Sequence, residues 1–475
     1  MDQCTVLSFI HESASCAIAN HARYAKAYSY AHEIVDAWDG PRGPQVHALH
    51  KYERLLEIMH RKPDAHIVLV VTEHAAIVRP APLDQLIGNR DYLLISTSGE
   101  APQPNIQFWR NSATSRSVIT DIVTRCKLGG PPFAGEARLL AELDSIPWHA
   151  TVDGLCVAMH TGPNIDPRWS VVPTFAISLD GDAQSPVEMG SVPRFRNALF
   201  THLDECTNQT RSCFSFDWSD NIPPDERSTF YPGQSIAFVT LYTPEINTYA
   251  HVAEINFRQY CERHGHTLYV HREIPREIGL SGTGNWVKPW LLHAYLAHHE
   301  WVVWLDADVL IGNHALRIEP LLDGTDRLLA RDIGQWPFNS GVMGFRRTDA
   351  NLSMLSDLMN TINAVSDRSS VYAGNGDQYY FIRALKEHGL LNNTGIRSPL
   401  TINTPWFFRD PDSFIVHYFG MWTQMRALMM DCDERARLAG NTVAINVGVL
   451  AGERPSTLVA ASKTERAMPK IRRER

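Results

Sequence analysis

The sequence predicts an α/β protein made of two tandem domains, each with a mostly parallel central sheet flanked by helices. Short apolar runs rich in β-branched residues alternate with longer segments of helical spacing, which is typical of such sheets. The alternation occurs twice along the chain with similar intervals. Two carboxylates also follow one of the apolar runs directly, at the position where ligands bind in parallel sheets.

The alternation is clearest in the C-terminal half. Residues 235–242 are predicted to form a buried strand, and residues 247–264 a helix. A second strand is predicted at 267–270, a helix at 286–299, and a fully apolar strand at 301–305. This order of elements predicts parallel β-α-β units.

The N-terminal half repeats this plan. Strands are predicted at 4–11 and 67–71, with helices at about 19–32 and 46–60 between them. We therefore predict a degenerate internal duplication, and the alternative is two unrelated α/β domains that share a generic rhythm. The matching intervals are 64 residues (Leu7–Val71) beside 66 residues (Val239–Leu305), and 34 residues in both halves (Val71–Asn105 and Leu305–Asn339).

These patterns divide the chain into four predicted parts. Residues 1–165 form a degenerate domain, residues 166–233 a connecting segment rich in Pro, Asp, Ser and Asn, residues 234–430 the intact domain, and residues 431–475 a C-terminal tail. The tail ends in a basic stretch from residue 463 onward, which is expected to be solvated. The alternative for this stretch is contact with an anionic membrane surface.

Composition narrows the function classes. The chain has 475 residues, of which 44% are apolar and 20% charged, as in ordinary globular proteins. Its net charge of −8 argues against a nucleic-acid partner, which would favour a basic excess. The N-terminus resembles no secretory signal, and no run of 18 apolar residues predicts a transmembrane segment. We therefore expect a cytoplasmic location, with peripheral contact at the inner membrane face as the alternative that the basic tail allows.

Two aspartates form the motif Asp306-Ala307-Asp308, which directly follows the apolar strand at 301–305. A nucleotide-sugar carries a diphosphate whose charge must be neutralised before it can leave. A divalent cation held by carboxylate oxygens does this. We therefore expect Asp306 and Asp308 to bind a metal ion, and the alternative is a solvated turn.

A histidine follows a second apolar run. His417 comes after residues 414–416 and could add an imidazole ligand to the same ion. Manganese accepts mixed oxygen and nitrogen ligands more readily than magnesium does, so Mn²⁺ is the predicted cofactor and Mg²⁺ the alternative. A purely structural role is the alternative for His417 itself.

Further polar residues could contact a sugar or its diphosphate. Asn339 and Ser340 can hydrogen-bond sugar hydroxyls, and Gly341 permits close backbone approach, unless that glycine serves packing alone. Asp377 precedes a predicted helix, so it either caps that helix or, with Gln378, faces the reacting sugar carbon. Two cations are also candidates: Lys288 could pair with the diphosphate, and Arg426 is a weaker candidate of the same kind.

These motifs together resemble glycosyltransferase family 34, the galactosyl-, mannosyl- and xylosyltransferases with a GT-A fold. The resemblance covers roughly residues 235–425 and is carried by Trp286-Val287-Lys288 and by the strings EWVVWLDADVLIGN, FNSGVMGFRR, NGDQYYF and HYFG. It implies a retaining transfer of a hexose or pentose from a UDP- or GDP-linked donor, with manganese, to a glycan or lipid-linked acceptor. In this chain the implied metal ligands are Asp306, Asp308 and His417, the implied donor-binding residues are Thr240, Lys288, Asp306, Asn339, Ser340, Gly341 and Gly420, and the residues implied near the anomeric carbon are Asp377 and Gln378.

The N-terminal copy lacks this chemistry. Thr72-Glu73-His74 stands where the paired carboxylates are expected, and Gly135-Glu136-Ala137 is the nearest counterpart of the Gly-Asp-Gln motif. Lys51 and His160 keep roughly the positions of Lys288 and His417. We therefore expect a domain that serves acceptor binding, dimerisation or stability, and the alternative is a second transferase that uses Glu73 and His74.

Taken together, these features predict a metal-dependent retaining glycosyltransferase. A bifunctional protein with two transferase domains is one alternative. A nucleotide-sugar hydrolase is another, because the same metal site could activate water. A non-catalytic sugar-binding protein built from two inactive copies is the third.

Overall fold

The structure is a computed structural model of the chain. It describes residues 3–10, 15–36, 43–96, 102–128, 135–141, 149–150, 156–159, 175–179, 186–213, 225–334, 336–368, 376–392, 395–409, 412–420 and 423–450. The predicted counterpart His160, and the basic stretch from residue 463, lie outside these ranges.

The N-terminal half contains a six-stranded sheet. The strands of this half are Cys4–Ile10 (β1), Ala31–Asp36 (β2), Ile67–Thr72 (β3), Ala75–Ile77 (β4), Tyr92–Ser96 (β5), Pro102–Arg110 (β6), His149–Ala150 (β7), Cys156–Met159 (β8) and Ala176–Leu179 (β9). The large sheet has the order β2-β1-β3-β6-β5-β7. Strand β6 is antiparallel to both of its neighbours, and the other pairs are parallel.

The C-terminal half contains a seven-stranded sheet. The strands of this half are Arg227–Phe230 (β10), Ile236–Leu241 (β11), Thr267–His271 (β12), Trp301–Leu305 (β13), Val309–Ile311 (β14), Arg327–Ala330 (β15), Asn339–Arg346 (β16), Ile396–Arg397 (β17), Thr404–Pro405 (β18) and Ile415–His417 (β19). The large sheet has the order β10-β12-β11-β13-β16-β15-β17. Strand β16 is antiparallel to β13 and β15, whereas β11 is parallel to β12 and β13.

Helices cover both sheets. They are Ser15–Ala27 (α1), Pro44–Arg61 (α2), Leu83–Ile87 (α3), Ala113–Leu128 (α4), Glu136–Ala141 (α5), Pro186–Asn208 (α6), Asn247–His264 (α7), Lys288–Leu296 (α8), Glu319–Leu322 (α9), Asp349–Asn363 (α10), Asp377–Glu387 (α11), Pro399–Ile402 (α12) and Thr423–Leu450 (α13). Strand β13 is buried along its whole length because it lies inside the sheet with apolar cores on both faces. This explains its unbroken apolar sequence, since a strand covered on both faces needs no polar alternation.

The two large sheets share one strand order. If β10 is set aside, β2-β1-β3-β6-β5-β7 and β12-β11-β13-β16-β15-β17 correspond strand by strand, with the same parallel and antiparallel pairs. Each half also has a small three-stranded sheet, β4-β9-β8 and β14-β19-β18, with one antiparallel and one parallel pair. The register of β5 on β6 and of β15 on β16 shifts near the same end. The predicted α/β class is therefore confirmed, and the origin of the two halves by duplication stays a prediction.

Two segments differ from the sequence-based expectations. The helix expected at about 19–32 ends at Ala27, and residues 31–36 form β2, because the chain turns at Ser29, whose φ is 55°. The segment expected to be a connection contains the helix α6, which packs against α1. Predominantly polar composition favoured a connection there, whereas the apolar residues of α6, such as Leu199 and Phe200, belong to a core.

Residues 1–436 form one compact unit, and residues 437–475 a second one, whose described part is helical. Within the described ranges, no helix has the length and apolar content needed to cross a membrane.

Candidate active site

The candidate active site lies at the carboxyl end of β13. The chain leaves the sheet there, and the Asp306 backbone N–H donates to the Gly341 carbonyl oxygen of β16 at 2.9 Å. The side chains of Asp306 and Asp308 are both partly exposed, whereas Ala307 between them is buried. Burial of Ala307 in this turn thus leaves both carboxylates on its open side.

The second small sheet brings His417 to these carboxylates. Strand β14 directly follows the motif and pairs with β19, so that Val309 lies opposite His417. One ligand atom each of Asp306, Asp308 and His417 lies within 4.8 Å of the other two. The His417 Nε2 is 3.2 Å from Asp308 Oδ1, and its Nδ1 is buried without a hydrogen-bond partner among the described residues. Two carboxylates and an imidazole with a spare nitrogen fit a divalent transition metal such as Mn²⁺.

Gly341 makes room for the histidine ring. A Cβ atom added at Gly341 would lie 2.5 Å from His417 Nδ1, closer than side chains pack. Its role therefore follows from the close approach of the imidazole to the β16 backbone, and residue 341 must lack a side chain wherever His417 occupies this position.

Arg426 pairs with the carboxylate of Asp308. Its Nη1 lies 3.3 Å from Asp308 Oδ2 and also donates to the Tyr249 hydroxyl at 2.9 Å. Burial alone would raise the pKa of Asp308, but the charges of Arg426 and His417 outweigh burial and hold this pKa well below its usual range. Asp308 is therefore ionised and ready to bind a cation at neutral pH.

Lys288 joins two carboxylates. Its Nζ is 2.7 Å from Asp306 Oδ1 and 2.9 Å from Asp377 Oδ2, and it donates to the Ser340 carbonyl oxygen at 3.3 Å. Burial opposes the charge of Lys288, yet Asp306 and Asp377 outweigh burial and raise the pKa of the ammonium group. Burial raises the pKa of Asp306 despite Lys288, and the charge of Asp308 acts in the same direction. Lys288 thus holds the two aspartates together across the site.

Asp377 does not cap its helix. The residue before α11 is Gly376, and the Asp377 carboxylate instead accepts hydrogen bonds from Lys288 and from the Ser340 hydroxyl at 3.0 Å. Gln378 Oε1 accepts from the Ser340 backbone N–H at 3.1 Å. Both side chains therefore lie at the amino-terminal end of β16, beside the candidate metal ligands.

Three other predicted donor-binding residues lie nearby in the fold. Asn339 Oδ1 accepts from the backbone N–H of Gly341 and from Asn403 Nδ2, both at 2.9 Å. Thr240 is buried at the carboxyl end of β11, and its hydroxyl has no hydrogen-bond partner among the described residues. Gly420 lies in the turn after β19 with φ of 76°. No described hydrogen bond links Thr240 or Gly420 to the carboxylates of the site.

Sequence reasoning missed two partners of the site. The Trp304 indole N–H donates to Asp306 Oδ1 at 2.6 Å, and the Tyr249 ring lies 4.8 Å from the Arg426 guanidinium carbon. Period-two alternation places residues 304 and 306 on the same face, and this was the available signal for the tryptophan. Tyr249 and Arg426 come from α7 and α13, which only the tertiary structure brings together.

The N-terminal half keeps part of the same arrangement. Lys51 Nζ lies 2.6 Å from Glu136 Oε1 and donates to the Pro104 carbonyl oxygen at 3.1 Å, much as Lys288 contacts Asp377 and the Ser340 carbonyl. Glu136 begins α5 as Asp377 begins α11. The lysine-carboxylate pair is therefore present in both halves.

The metal-binding residues have no equivalents there. Ile106 pairs with Val71 as Val342 pairs with Leu305, so the strand register matches Asn105 with Gly341, not with Asn339 as equal intervals suggested. The register of the small sheets likewise matches Ser178 with His417. Asn105 accepts from the Thr72 hydroxyl at 3.0 Å and donates to the Ser178 hydroxyl at 3.2 Å, so an amide group takes the place of the imidazole.

A family match covers the first part of the C-terminal half. Residues 240–365 match the galactosyl transferase GMA12/MNN10 family, which is the family that the motifs of the sequence resemble. This protein is a glycosyltransferase. The matched region contains Lys288, Asp306, Asp308 and the Asn339-Ser340-Gly341 segment. No curated protein sequence matches the chain.

Several solved glycosyltransferase structures are similar to part of the chain. One acts in glycosylation of the major capsid of the virus PBCV-1, with 20% identity, a TM-score of 0.34, and coverage of 41% of this chain and 98% of that chain. The galactosyltransferase LgtC with donor and acceptor sugar analogs has 14% identity, a TM-score of 0.25, and coverages of 38% and 87%. A Drosophila β1,4-galactosyltransferase 7 mutant with manganese, UDP-Gal and xylobiose has 14% identity, a TM-score of 0.26, and coverages of 39% and 71%.

Proposed function

We propose that the C-terminal half transfers a hexose or pentose from a UDP- or GDP-linked donor to a hydroxyl of a glycan or lipid-linked acceptor, with retention and with Mn²⁺ as cofactor. The observation that carries the proposal is the convergence of Asp306, Asp308 and His417 at the carboxyl end of β13, in a chain whose residues 240–365 match a galactosyl transferase family. The bound ion would supply positive charge to the leaving diphosphate.

The residues around the ion have separate tasks in this proposal. Arg426 is the cation next to Asp308, and it supports the proposal because a guanidinium there can bind phosphate oxygens once the metal takes over the carboxylate. Lys288 is the positioning residue, because its ammonium group is engaged with Asp306 and Asp377. It therefore acts on the diphosphate only through those carboxylates.

Asp377 and Gln378 are proposed to face the anomeric carbon. Cleavage of the sugar-phosphate bond leaves positive charge on that carbon, which a nearby carboxylate stabilises. The Asp377 carboxylate is fixed by Lys288 and by the Ser340 hydroxyl, so it is preorganised for this role. Retention follows if the acceptor hydroxyl attacks from the face that the diphosphate leaves.

The N-terminal half is proposed to be catalytically inactive. Thr72 and His74 replace the paired carboxylates, and Asn105 with Ser178 occupies the position of the imidazole. One active site in each chain is therefore expected, which argues against the bifunctional alternative.

The test is donor turnover by the full chain with Mn²⁺ and a panel of UDP- and GDP-sugars, measured as nucleotide release and as free or transferred sugar. Asp308→Ala should lower turnover at least about 100-fold, because loss of a ligand should cost more than the 10–100-fold lost when a partner of a ligand is changed. The matched control is Asp64→Ala. Asp64 lies in the N-terminal half, and its side chain is exposed. Wild-type turnover in Asp308→Ala would overturn the assignment, and free sugar formed with acceptor present would indicate a hydrolase.

A further inference from the structure

A pair of aromatic residues lies beside the candidate active site. Trp336 belongs to the segment that connects β15 to β16 and precedes Asn339 by three residues. Tyr379 belongs to the first turn of α11 and follows Asp377 by two residues. The two rings meet edge to face, with centroids 6.3 Å apart and planes at 74°. This contact therefore joins the segment that carries Asn339 to the helix that carries Asp377.

Further aromatic contacts hold the two rings in place. Tyr379 packs edge to face against Tyr380 at 5.2 Å, and Tyr380 packs against Trp286 at 5.6 Å. Trp286 is fully buried, and its indole N–H donates to the Arg368 carbonyl oxygen at 3.1 Å. Trp336 packs against the same apolar core. Because the rings are already fixed, little side-chain freedom is lost when a ligand binds to them.

Both rings have polar atoms that are open to a ligand. Trp336 and Tyr379 are half-buried. In the part of the chain that the structure describes, neither the Trp336 indole N–H nor the Tyr379 hydroxyl makes a hydrogen bond, and neither atom is buried. Each residue can therefore offer a hydrogen bond in addition to its aromatic surface.

Two amide groups extend this set of donors toward the aspartates. Asn339 Oδ1 accepts from Gly341 and Asn403, and Gln378 Oε1 accepts from Ser340. Their amide nitrogens, Asn339 Nδ2 and Gln378 Nε2, make no hydrogen bond to any described residue. Four donor groups and two aromatic rings are thus carried by residues 336–339 and 377–379, which adjoin the site.

This combination of groups matches a pyranose sugar. A pyranose ring has C–H groups on its faces and hydroxyl groups around its edge. Aromatic rings bind the C–H groups, whereas N–H and O–H donors bind the hydroxyl oxygens. An alkyl chain would cover the same donors without giving them a partner, which costs free energy. The arrangement therefore favours a sugar over the lipid portion of an acceptor.

The aromatic residues do not recur in the N-terminal half, although the lysine-carboxylate pair does. Glu136 begins α5 as Asp377 begins α11. Two positions later stands Arg138 in α5 and Tyr379 in α11, and the next residue is a leucine in α5 and Tyr380 in α11. Since the framework recurs and the rings do not, the rings point to a task of the half that contains the candidate metal ligands.

We propose that Trp336 and Tyr379 bind a pyranose ring of the acceptor and thereby determine which acceptor is used. The inference rests on the proposed function, in which Asn339 contacts the donor and Gln378 faces the anomeric carbon, so that the adjoining rings are left for the acceptor. Both residues bind the acceptor sugar and take no part in making or breaking bonds. The acceptor is then a glycan or glycoconjugate that is recognised through its sugar.

The binding experiment uses the full chain without donor and without metal, so that its result does not depend on transfer. Saturation-transfer NMR with the butyl glycosides of galactose, glucose and mannose identifies the ligand protons that contact the protein. Ring protons of at least one glycoside should receive saturation, and Trp336→Leu should raise the dissociation constant about tenfold. The matched control is Tyr28→Leu, because Tyr28 pairs with Tyr30 in the N-terminal half and should not affect binding.

The kinetic experiment uses the glycoside that binds, with donor and Mn²⁺. Trp336→Leu and Tyr379→Leu should raise the acceptor KM about tenfold and leave the donor KM unchanged, because neither residue is among those proposed to bind the donor. Tyr379→Phe keeps the ring and removes the hydroxyl, so it should raise the acceptor KM by only about threefold. A purely structural role would instead change both KM values or the stability of the fold.

The outcomes separate this inference from the proposed function. Ring-proton saturation that is lost in Trp336→Leu supports the acceptor site, and Tyr379→Leu replaces that variant if thermal unfolding shows that it does not fold. No saturation of any glycoside, saturation of the butyl protons alone, or equal binding by the wild type and both leucine variants overturns the inference. Glycoside binding of the expected kind without any donor turnover supports the sugar site and contradicts the proposed transfer.

Discussion

Gly341 and His417 form a matched pair in the C-terminal half, and Asn105 and Ser178 form its alternative in the N-terminal half. In the first pair the large side chain comes from the small sheet, and in the second it comes from the large sheet. The two arrangements cannot be combined, because a side chain at residue 341 would overlap the imidazole of His417. This exchange of large and small side chains accompanies the replacement of Asp306 and Asp308 by Thr72 and His74 in the N-terminal half.

Gly341→Ala tests this relation. The added methyl group should displace the His417 ring and weaken Mn²⁺ binding by about 10- to 100-fold, as expected when a metal ligand loses its orientation. Mn²⁺ affinity measured by electron paramagnetic resonance gives the result. The control is Gly440→Ala, where an added Cβ meets nothing within 4 Å. Unchanged Mn²⁺ affinity in Gly341→Ala would show that His417 is not a ligand.

Some of the site could be predicted from sequence because it depends on local pattern. Asp306, Asp308 and His417 each follow an apolar strand, and strand ends converge at one edge of a sheet. The engagement of Lys288 with two carboxylates could not be predicted, because it depends on how α8 and α11 meet β16. Arg426 was a weak candidate for the same reason, since a helix cation is usually solvated.

At the scale of elements, a buried asparagine on a helix holds the first strand of each small sheet, Asn20 for β4 and Asn256 for β14. Asn256 Nδ2 donates to the Ile311 carbonyl at 3.1 Å, and its Oδ1 accepts from the Ile311 N–H at 2.8 Å. Asn256 Nδ2 also donates to Glu434 on α13 at 2.8 Å. Strand β14 is therefore held from α7 as well as from β19, and Asp308 directly precedes it.

Asn256→Ala should destabilise the fold by about 3 kcal/mol, because each buried polar group left without a partner costs about 1–3 kcal/mol. Urea unfolding followed by circular dichroism measures this change. Asn360→Ala, at an exposed position of the helix α10, should change the free energy of unfolding by less than about 0.5 kcal/mol. Equal stability of the two variants would mean that the Asn256 amide does not hold β14.

The strands and helices of the structure can be compared with those that the hydrophobic pattern of the sequence predicted. The strands β11, β12 and β13 begin and end within about two residues of their predicted limits, because their apolar runs stop at polar or turn residues. Strand β2 and the helix α6 were not predicted. The residues of β2 are mostly half-exposed, since it lies at the sheet edge, and the sequence therefore lacks a buried run there.

At the scale of the whole molecule, buried histidines make stability depend on pH. Burial lowers the pKa of His21, His266 and His271 to about 4 each, below the ordinary value of 6.5. Between these values the unfolded chain binds more protons than the folded one. Stability is therefore full above pH 6.5 and falls as the pH drops toward 4, by up to about 1.4 kcal/mol per pH unit for each histidine.

Urea unfolding at pH 7.5, 6.5 and 5.5 measures this slope. His271→Gln should make the slope shallower, because one buried imidazole no longer titrates, whereas exposed His298→Gln should leave it unchanged. Equal slopes in the wild type and in His271→Gln would contradict the burial of an uncharged imidazole at this position.

The two halves share a strand order, a lysine-carboxylate pair and the asparagine-to-strand contact, yet among the described residues only the C-terminal half brings together possible ligands for a metal. Equal intervals along the sequence predicted a duplication, but they matched Asn105 with Asn339, whereas the strand register matches Asn105 with Gly341. Intervals ignore the pairing of strands, whereas the register determines which side chains meet. Whether the two halves differ in function is therefore tested by measuring which half binds Mn²⁺.

The most direct test of this account is the number and location of Mn²⁺ sites in the full chain, measured by equilibrium titration in the presence of UDP or GDP. The account predicts one site per chain, lost in Asp308→Ala and retained in His74→Ala. Two sites per chain, or one site that survives Asp308→Ala and disappears in His74→Ala, would contradict a single active site in the C-terminal half.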